Sequence, residues 1–385
     1  MKIINIVLNG LYTDGFSYHE NLLPKYHKIN GNEVYIIASE YIFNSNGQPE
    51  KVLNQAHYID NNGINIYRLP IRRNKNITYK LKRFIGLYKL IDSIKPDIIF
   101  CHLFQFLDVL QVVKYKKLHP EIKLYIDSHA DYSNSAKTFI SKYFLHGIMW
   151  RYCAHRALPY AEKFYGVLPA RVDFLIERYK LPKEKCELLE MGADDELVKL
   201  SKTTNAHCLI RQKYNIAATD FLIVTGGKID LAKTQTLLLM KAVREMNNPK
   251  VKLIVFGSVV DELKQQVHEL SDGNIIQYIG WISSADSYNY FEASDLVIFP
   301  GRHSVFWEQV VGQGKPMVVK YWDGTTHIDL GGNVKYLYND SVSEIKDVII
   351  ETMNPITYDK MKTVAEEKGI THFSYKEIAK RSIIC

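Results

Sequence analysis

The 385-residue sequence contains no apolar run near the roughly 18 residues needed to span a bilayer, so no membrane-spanning helix is expected. It is poor in cysteine, and Cys101, Cys153, Cys186, Cys208 and Cys385 are scattered singly. There is no CxxC pair and no Cys/His set with zinc spacing, so neither a disulfide framework nor a structural zinc site is expected. Met1 leads directly into the strand-like Lys2–Asn9, without signal-peptide architecture. With the unpatterned, odd cysteine count, this gives a cytoplasmic expectation. No short-period repeat and no low-complexity tail is present. The excess of basic residues is modest, at a net charge of +7. It permits an anionic partner without identifying one. No nucleic-acid-binding module accompanies it, so nucleic acid is not expected.

What is there is an alternation of strands and helices. The chain is too long for one ordinary core, so two domains are expected. Lys2–Asn9 and Glu33–Ser39 read as buried strands flanking a helix that Asn30-Gly31-Asn32 stops. A right-handed crossover puts both in one parallel sheet. Ile64–Leu69, Asp97–His102 and Lys123–Asp127 read as further strands. A helix with apolar residues from Ile77 through Leu81, Phe84, Ile85 and Tyr88 to Ile91 precedes the second of these. Polar residues around 196–210 mark a linker. The alternation then restarts: strands Phe221–Val224, Lys252–Phe256, Ile275–Tyr278, Leu296–Phe299 and Pro316–Lys320, with helices Thr234–Met246, Val260–Leu270, Ala285–Ala293 and Val305–Gln313 between them. Two doubly wound α/β domains facing a central cleft follow, with ligand beyond the carboxyl ends of the strands.

Thr225-Gly226-Gly227-Lys228-Ile229-Asp230-Leu231-Ala232-Lys233 follows the first of these later strands. Glycines let the backbone approach an anion, amides at a helix mouth point at it, and Lys228 and Lys233 neutralise it. A diphosphate suits this turn; a plain connection with solvated lysines is the alternative. Downstream come Val255-Phe256-Gly257, Tyr278-Ile279-Gly280-Trp281, Ala293-Ser294-Asp295-Leu296, Trp307-Glu308-Gln309 and Gly312-Gln313-Gly314-Lys315-Pro316.

In that order the motifs resemble the nucleotide-sugar glycosyltransferases of the GT-B fold, family 4 (group 1). The resemblance is sharpest from Thr225 to Pro316. It implies two Rossmann-like domains: residues 1–200 for the acceptor, joined by a C-terminal helix at about 373–385 that packs back, and residues 201–372 for the nucleotide sugar. It implies a retaining transfer from a nucleotide-diphosphate sugar, without metal or other cofactor. No D-x-D pair ends a strand, and Asp194-Asp195 reads as solvated. Lys228 and Lys233 are expected to hold the diphosphate, with Glu308 on the ribose hydroxyls. Gly15, Gly227, Gly257, Trp281, His303, Ser304 and Val305 complete the donor set, and Ser304 suits the N-cap of the helix at Val305. The family's first glutamate, eight positions before Glu308, is Pro300 here. Arg302 and His303 are candidates to replace its contacts.

In the first half, His129 ends an apolar strand, and by the same resemblance it lies near the transferred sugar. It stands with Lys228 and Lys233 as a catalytic candidate. Tyr18, His19, Glu20 and Asp127 are acceptor candidates. The basic stretch Arg68–Lys95 and the aromatic, basic segment Lys142–Arg156 could each contact an anionic membrane at the inner face of the plasma membrane, or be ordinary solvated faces. The expected acceptor is a saccharide or lipid-linked saccharide of bacterial surface-polysaccharide synthesis. The rival readings are a catalytically inactive binding subunit and a sugar-nucleotide 2-epimerase of the same fold.

Overall fold

The computed structural model describes residues 1–44, 47–52, 56–72 and 82–384. The chain forms two compact units. The first comprises Met1–Glu190 with Ile378–Cys385, and the second Met191–Glu377. The boundary thus falls ten residues before the one read from the sequence. The polar stretch expected to be a linker is instead helical, as Asp195–Thr203 and Ala206–Lys213. Asp194 is buried and caps the first of these through the Glu196 amide, while Asp195 accepts from Ser374 Oγ at 2.5 Å and the Lys376 amide at 2.9 Å. Neither carboxylate is the solvated group expected, because each answers backbone or hydroxyl donors that the fold leaves open.

The first unit is built on strands β1 (Lys2–Val7), β2 (Glu33–Ser39), β3 (Tyr41–Phe43), β4 (Pro49–Lys51), β5 (His57–Ile59), β6 (Asn65–Leu69), β7 (Ile98–Cys101), β8 (Lys123–Ser128), β9 (Lys163–Gly166) and β10 (Cys186–Leu188). Its main sheet runs β10-β9-β8-β7-β1-β2-β6-β5, and β3 pairs with β4 apart from it. All neighbours in the main sheet are parallel except β5 and β6. Helices cover a parallel sheet on both faces, so β7 is a continuous apolar run (Ile98 to Cys101) and β1 is one interrupted only by the buried Asn5 (Ile3, Ile4, Ile6 and Val7), rather than alternating. The chain order reverses between β1 and β7, which opens a crevice at their carboxyl ends.

The second unit contains β11 (Phe221–Gly226), β12 (Val251–Phe256), β13 (Ile276–Tyr278), β14 (Leu296–Phe299), β15 (Met317–Lys320) and β16 (Val334–Leu337). The sheet is wholly parallel in the order β13-β12-β11-β14-β15-β16, the doubly wound arrangement of dinucleotide-binding folds. Its switch point lies between β11 and β14. Helices Gln235–Met246, Asp261–Leu270 and Ser284–Ala293 start within one residue of the expected positions.

The helix expected through residues 77–91 is present as Leu87–Ile94, entered from Gly86 in a left-handed conformation; residues 73–81, including Arg73, Lys75 and Lys80, lie outside the described part. Two cations of that basic stretch have partners within the unit. Lys82 is turned inward onto Asn9 Oδ1 and the Asn9 carbonyl, and burial lowers its ammonium to about 8. Arg83 lies 3.5 Å from the buried Asp108. Arg72, Lys89 and Lys95 of the same stretch are exposed.

Candidate functional site

The turn after β11 rests on two close approaches that only glycine allows. A Cβ on Gly226 would sit 2.1 Å from the Phe256 ring, and one on Gly257 would sit 1.9 Å from the Gly227 carbonyl oxygen. Gly227 itself has φ +118° with open space before it. The turn is tied to the next loops by hydrogen bonds from the Gly227 amide to the Phe256 carbonyl (3.1 Å) and from Ile229 to Ser258 (2.8 Å). Gly227 therefore presents bare backbone, while Gly257 lies beneath it as a support.

A pocket of about 370 Å³, its open mouth included, lies at the switch point and is lined by Thr225–Ile229, Lys233, Thr236 and Phe299–Arg302 with Ser304. Three cations converge on it. Burial lowers the Lys233 ammonium from its ordinary range; Asp230 opposes this, and the charges of Arg302 and Lys228 add to it. Lys228 is 3.8 Å from Asp230 with its side chain largely exposed. Like charges held this close favour an anion, and the helix Gln235–Met246 begins two residues after Lys233. Arg302 thus joins the two lysines through loop geometry, in the segment that lacks the expected glutamate.

Glu308 is fully buried on the short helix Phe306–Gly312. Its Oε1 faces His303 Nε2 at 2.8 Å and His327 Nε2 at 2.9 Å, and its Oε2 has no protein partner among the described residues. Burial pushes its carboxyl up, but the two imidazoles outweigh this and hold it down at about 2. His303 is thereby a carboxylate partner. Ser304 is not the N-cap: the cap position is Val305, in helical conformation, and Ser304 Oγ accepts from the Phe306 amide at 3.4 Å. Val305 and Trp281 are exposed, and neither lines the pocket.

In the first unit, Asp127 at the end of β8 is fully buried among three histidines. His102 Nδ1 is 2.8 Å from Oδ2, His19 Nε2 is 3.6 Å from the same oxygen, and His129 Nε2 is 3.7 Å from Oδ1. The Leu103 amide donates to Oδ1 at 2.9 Å, and His102 Nε2 is 3.3 Å from Asn5 Oδ1. Burial raises the Asp127 carboxyl, but His102 and His129, by charge and hydrogen bonding, hold it well below the usual carboxylate range. Burial drives His19 well below the usual imidazole range against the pull of Asp127, with the other imidazoles adding to the shift. Asp127 and His19 are both buried within this cluster. His129, beside Asp127 at 3.7 Å, is partly exposed. Tyr18 is exposed, Glu20 lies in the first turn of the helix His19–Ile29, and Gly15 takes φ +77° in the loop after β1.

The sequence reading missed His102, Asn5 and His327. His102 carried a usable signal, since it directly follows a fully apolar strand, as the Asp127 segment does. His327 lies in an isolated turn, Thr326–Ile328, with no such signal.

Residues 209–310, about a quarter of the chain, match the family model described as glycosyl transferases group 1. That segment runs from before β11 to just past Glu308 and includes both lysines. The chain is also 24% identical over 276 residues to a mannosylfructose-phosphate synthase of Agrobacterium fabrum, a match that spans 65% of this chain and 58% of that protein. Among solved structures, a glycosyltransferase from Rickettsia africae superimposes with a TM-score of 0.71 at 16% identity, covering 99% of this chain and 96% of the other. The HepE protein of Anabaena, in complex with UDP, gives 0.68 at 16% identity, covering 99% and 98%. The likeness extends to a protein described as a UDP-N-acetylglucosamine 2-epimerase from Listeria monocytogenes, at 0.61 and 13% identity over 99% and 94%. The fold is GT-B, which glycosyltransferases and such epimerases share.

Proposed function

We propose that this chain transfers a glycosyl group from a nucleoside-diphosphate sugar to a hydroxyl acceptor, with retention at the anomeric carbon and without a metal. The observation that carries this reading is the convergence of Lys228, Lys233 and Arg302 on the switch-point pocket, inside the segment that matches group 1. As the bond from sugar C1 to the diphosphate breaks, negative charge grows on the leaving oxygen, and fixed cations stabilise it. A new C1–oxygen bond forms to the acceptor hydroxyl, whose proton is lost, and the nucleoside diphosphate departs. Glu308 is assigned to the ribose hydroxyls, through the Oε2 oxygen that the protein leaves unengaged. His129, positioned by Asp127, His19 and His102, is assigned to the transferred sugar or the reacting hydroxyl. That HepE binds UDP-glucose supports a sugar nucleotide as donor.

The acceptor is a saccharide or lipid-linked saccharide of bacterial surface-polysaccharide synthesis, presented at the cytoplasmic face of the plasma membrane. No helix among the described residues is long and apolar enough to cross a membrane. The experiment is incubation with UDP-, GDP- and ADP-sugars and a lipid-linked saccharide, followed by detection of free nucleotide and of the extended acceptor. Both products appearing together support transfer. Conversion of the sugar nucleotide itself would replace this reading by the epimerase, and saturable nucleotide binding without turnover would replace it by the inactive subunit.

A further inference from the structure

The segment from Phe139 to Tyr152 shows solvent an unusual amount of apolar surface. Phe139, Ile140, Tyr143, Phe144, Ile148 and Tyr152 are all exposed, the first two at 69% and 66% and Ile148 at 63%. Single exposed apolar residues are ordinary, but a contiguous set is not. The set is continuous because of the local backbone. Ser141–Met149 is a π-helix that runs into the helix Trp150–Ala157. Hydrogen bonds from i to i+5 widen the turn, so residues four or five apart (Phe139, Phe144, Ile148 and Tyr152) share one face. Phe139 and Tyr143 pack ring to ring at 4.6 Å. The opposite face is anchored by the buried Trp150, Cys153, Ala154 and Ala157, so the exposed stripe sits on a fixed support.

Charge identifies the occupant. Between Asp131 and Glu162 there is no acidic residue, while Lys137, Lys142, Arg151 and Arg156 are all present. Lys142 lies over the rings of Tyr132 and Tyr143 at 5.6 Å, and Arg178 lies over Tyr143 at 5.3 Å. The preceding acid in sequence, Asp131, is buried against Arg171 at 3.2 Å, and the exposed Glu177 of the neighbouring helix, whose charge reaches Tyr132, is followed directly by Arg178, so the cations remain in excess here. A second copy of this chain would bring like charges together across the same stripe. An anionic bilayer takes both features at once: aromatic and aliphatic side chains enter the headgroup boundary while the cations meet lipid phosphates.

We propose that this stripe is the surface by which the chain docks on an anionic membrane. It rests on the function proposed above only in the choice of a membrane as partner, and the two fail separately. The test is co-sedimentation of the full chain with vesicles of equimolar phosphatidylglycerol and phosphatidylcholine, against phosphatidylcholine alone. Binding is expected to the anionic vesicles only. The pair Phe144→Ser with Ile148→Ser, and separately the pair Lys137→Glu with Arg156→Glu, should each weaken it about ten-fold or more. Both pairs should keep the wild-type circular dichroism spectrum and transfer to a water-soluble saccharide at the wild-type rate. No binding to anionic vesicles, equal binding to neutral ones, or undiminished binding by both folded variants would overturn the proposal. So would a concentration-dependent dimer, abolished by the serine pair, in a chain that ignores vesicles.

Discussion

Lys233 is the residue on which the proposed chemistry turns. Its burial disfavours a free ammonium, and a bound diphosphate would reverse that. Lys233→Ala should lower turnover roughly 100- to 1,000-fold, the usual cost of removing one contact to developing oxyanion charge. The fold should be unchanged, since Lys233 lies in a loop. Single-turnover kinetics with the donor check this, and near wild-type turnover would overturn the assignment. Glu308 makes a different kind of prediction. Its carboxyl titrates at about 2 in the folded chain against an ordinary 4.5, so the folded state favours its charged form. This contributes stability on the order of 3 kcal/mol above about pH 4.5, lost as pH falls toward about 2. Glu308→Gln should therefore be less stable at neutral pH, with the gap to wild type closing over that acid range in urea titrations. A gap that stays constant would show that the two histidines do not hold the charge. If Glu308 also holds the ribose, the same variant loses nucleotide affinity.

At the scale of elements, the carboxyl ends of β1, β7 and β8 assemble one buried polar cluster from residues far apart in sequence. His19 and Asp127 are both shifted downward, one held neutral and the other charged, and both act the same way in acid. His19 stays neutral when folded yet binds a proton when unfolded, so stability falls as pH drops below about 6.5. Asp127 stays charged when folded, so a second loss begins below about pH 4. Asp127→Asn should remove the second loss and keep the first, which circular dichroism across an acid titration would read. A variant that retained both would place the second loss elsewhere. This cluster also shows where sequence reading stops. The strands themselves were legible, because a buried parallel strand is an apolar run, and β2 and β14 fall where expected. His129 was legible as a strand-end residue. His102 was not linked to it, since sheet register and not spacing brings residues 102 and 127 together. The helix Asp195–Thr203 reads as linker because Lys199 and the run Ser201 to Asn205 are polar, although Asp194 with two following acids is a helix-start signal. The Glu308–His327 pair needed the fold, because its partners lie on a helix and an isolated turn.

At the scale of the molecule, the chain completes the first unit with its last residues. His27 Nε2 meets Ser382 Oγ at 2.9 Å, and Tyr125 Oη donates to the Ile383 carbonyl at 3.1 Å, all within that unit. Deleting residues 378–385 should therefore lower the thermal stability of the first unit. Nucleotide should still raise that of the second, by about 2.7 kcal/mol at a hundred-fold excess over Kd. Calorimetry with and without nucleotide separates the two. Loss of nucleotide stabilisation on truncation would contradict the division of labour.

The second unit is one uninterrupted length of chain, and its two ends are held side by side: the Ala193 amide donates to the Phe373 carbonyl at 2.8 Å, and the Tyr375 amide donates to the Ala193 carbonyl at 3.2 Å. Adjacent ends are what lets a segment be lifted out of one gene and placed in another without stretching its host. The second unit, to which the proposed function assigns the donor, is thus a cassette. On that assignment, exchange of Met191–Glu377 between relatives of this fold offers a route by which donor choice could change while the first unit is inherited intact.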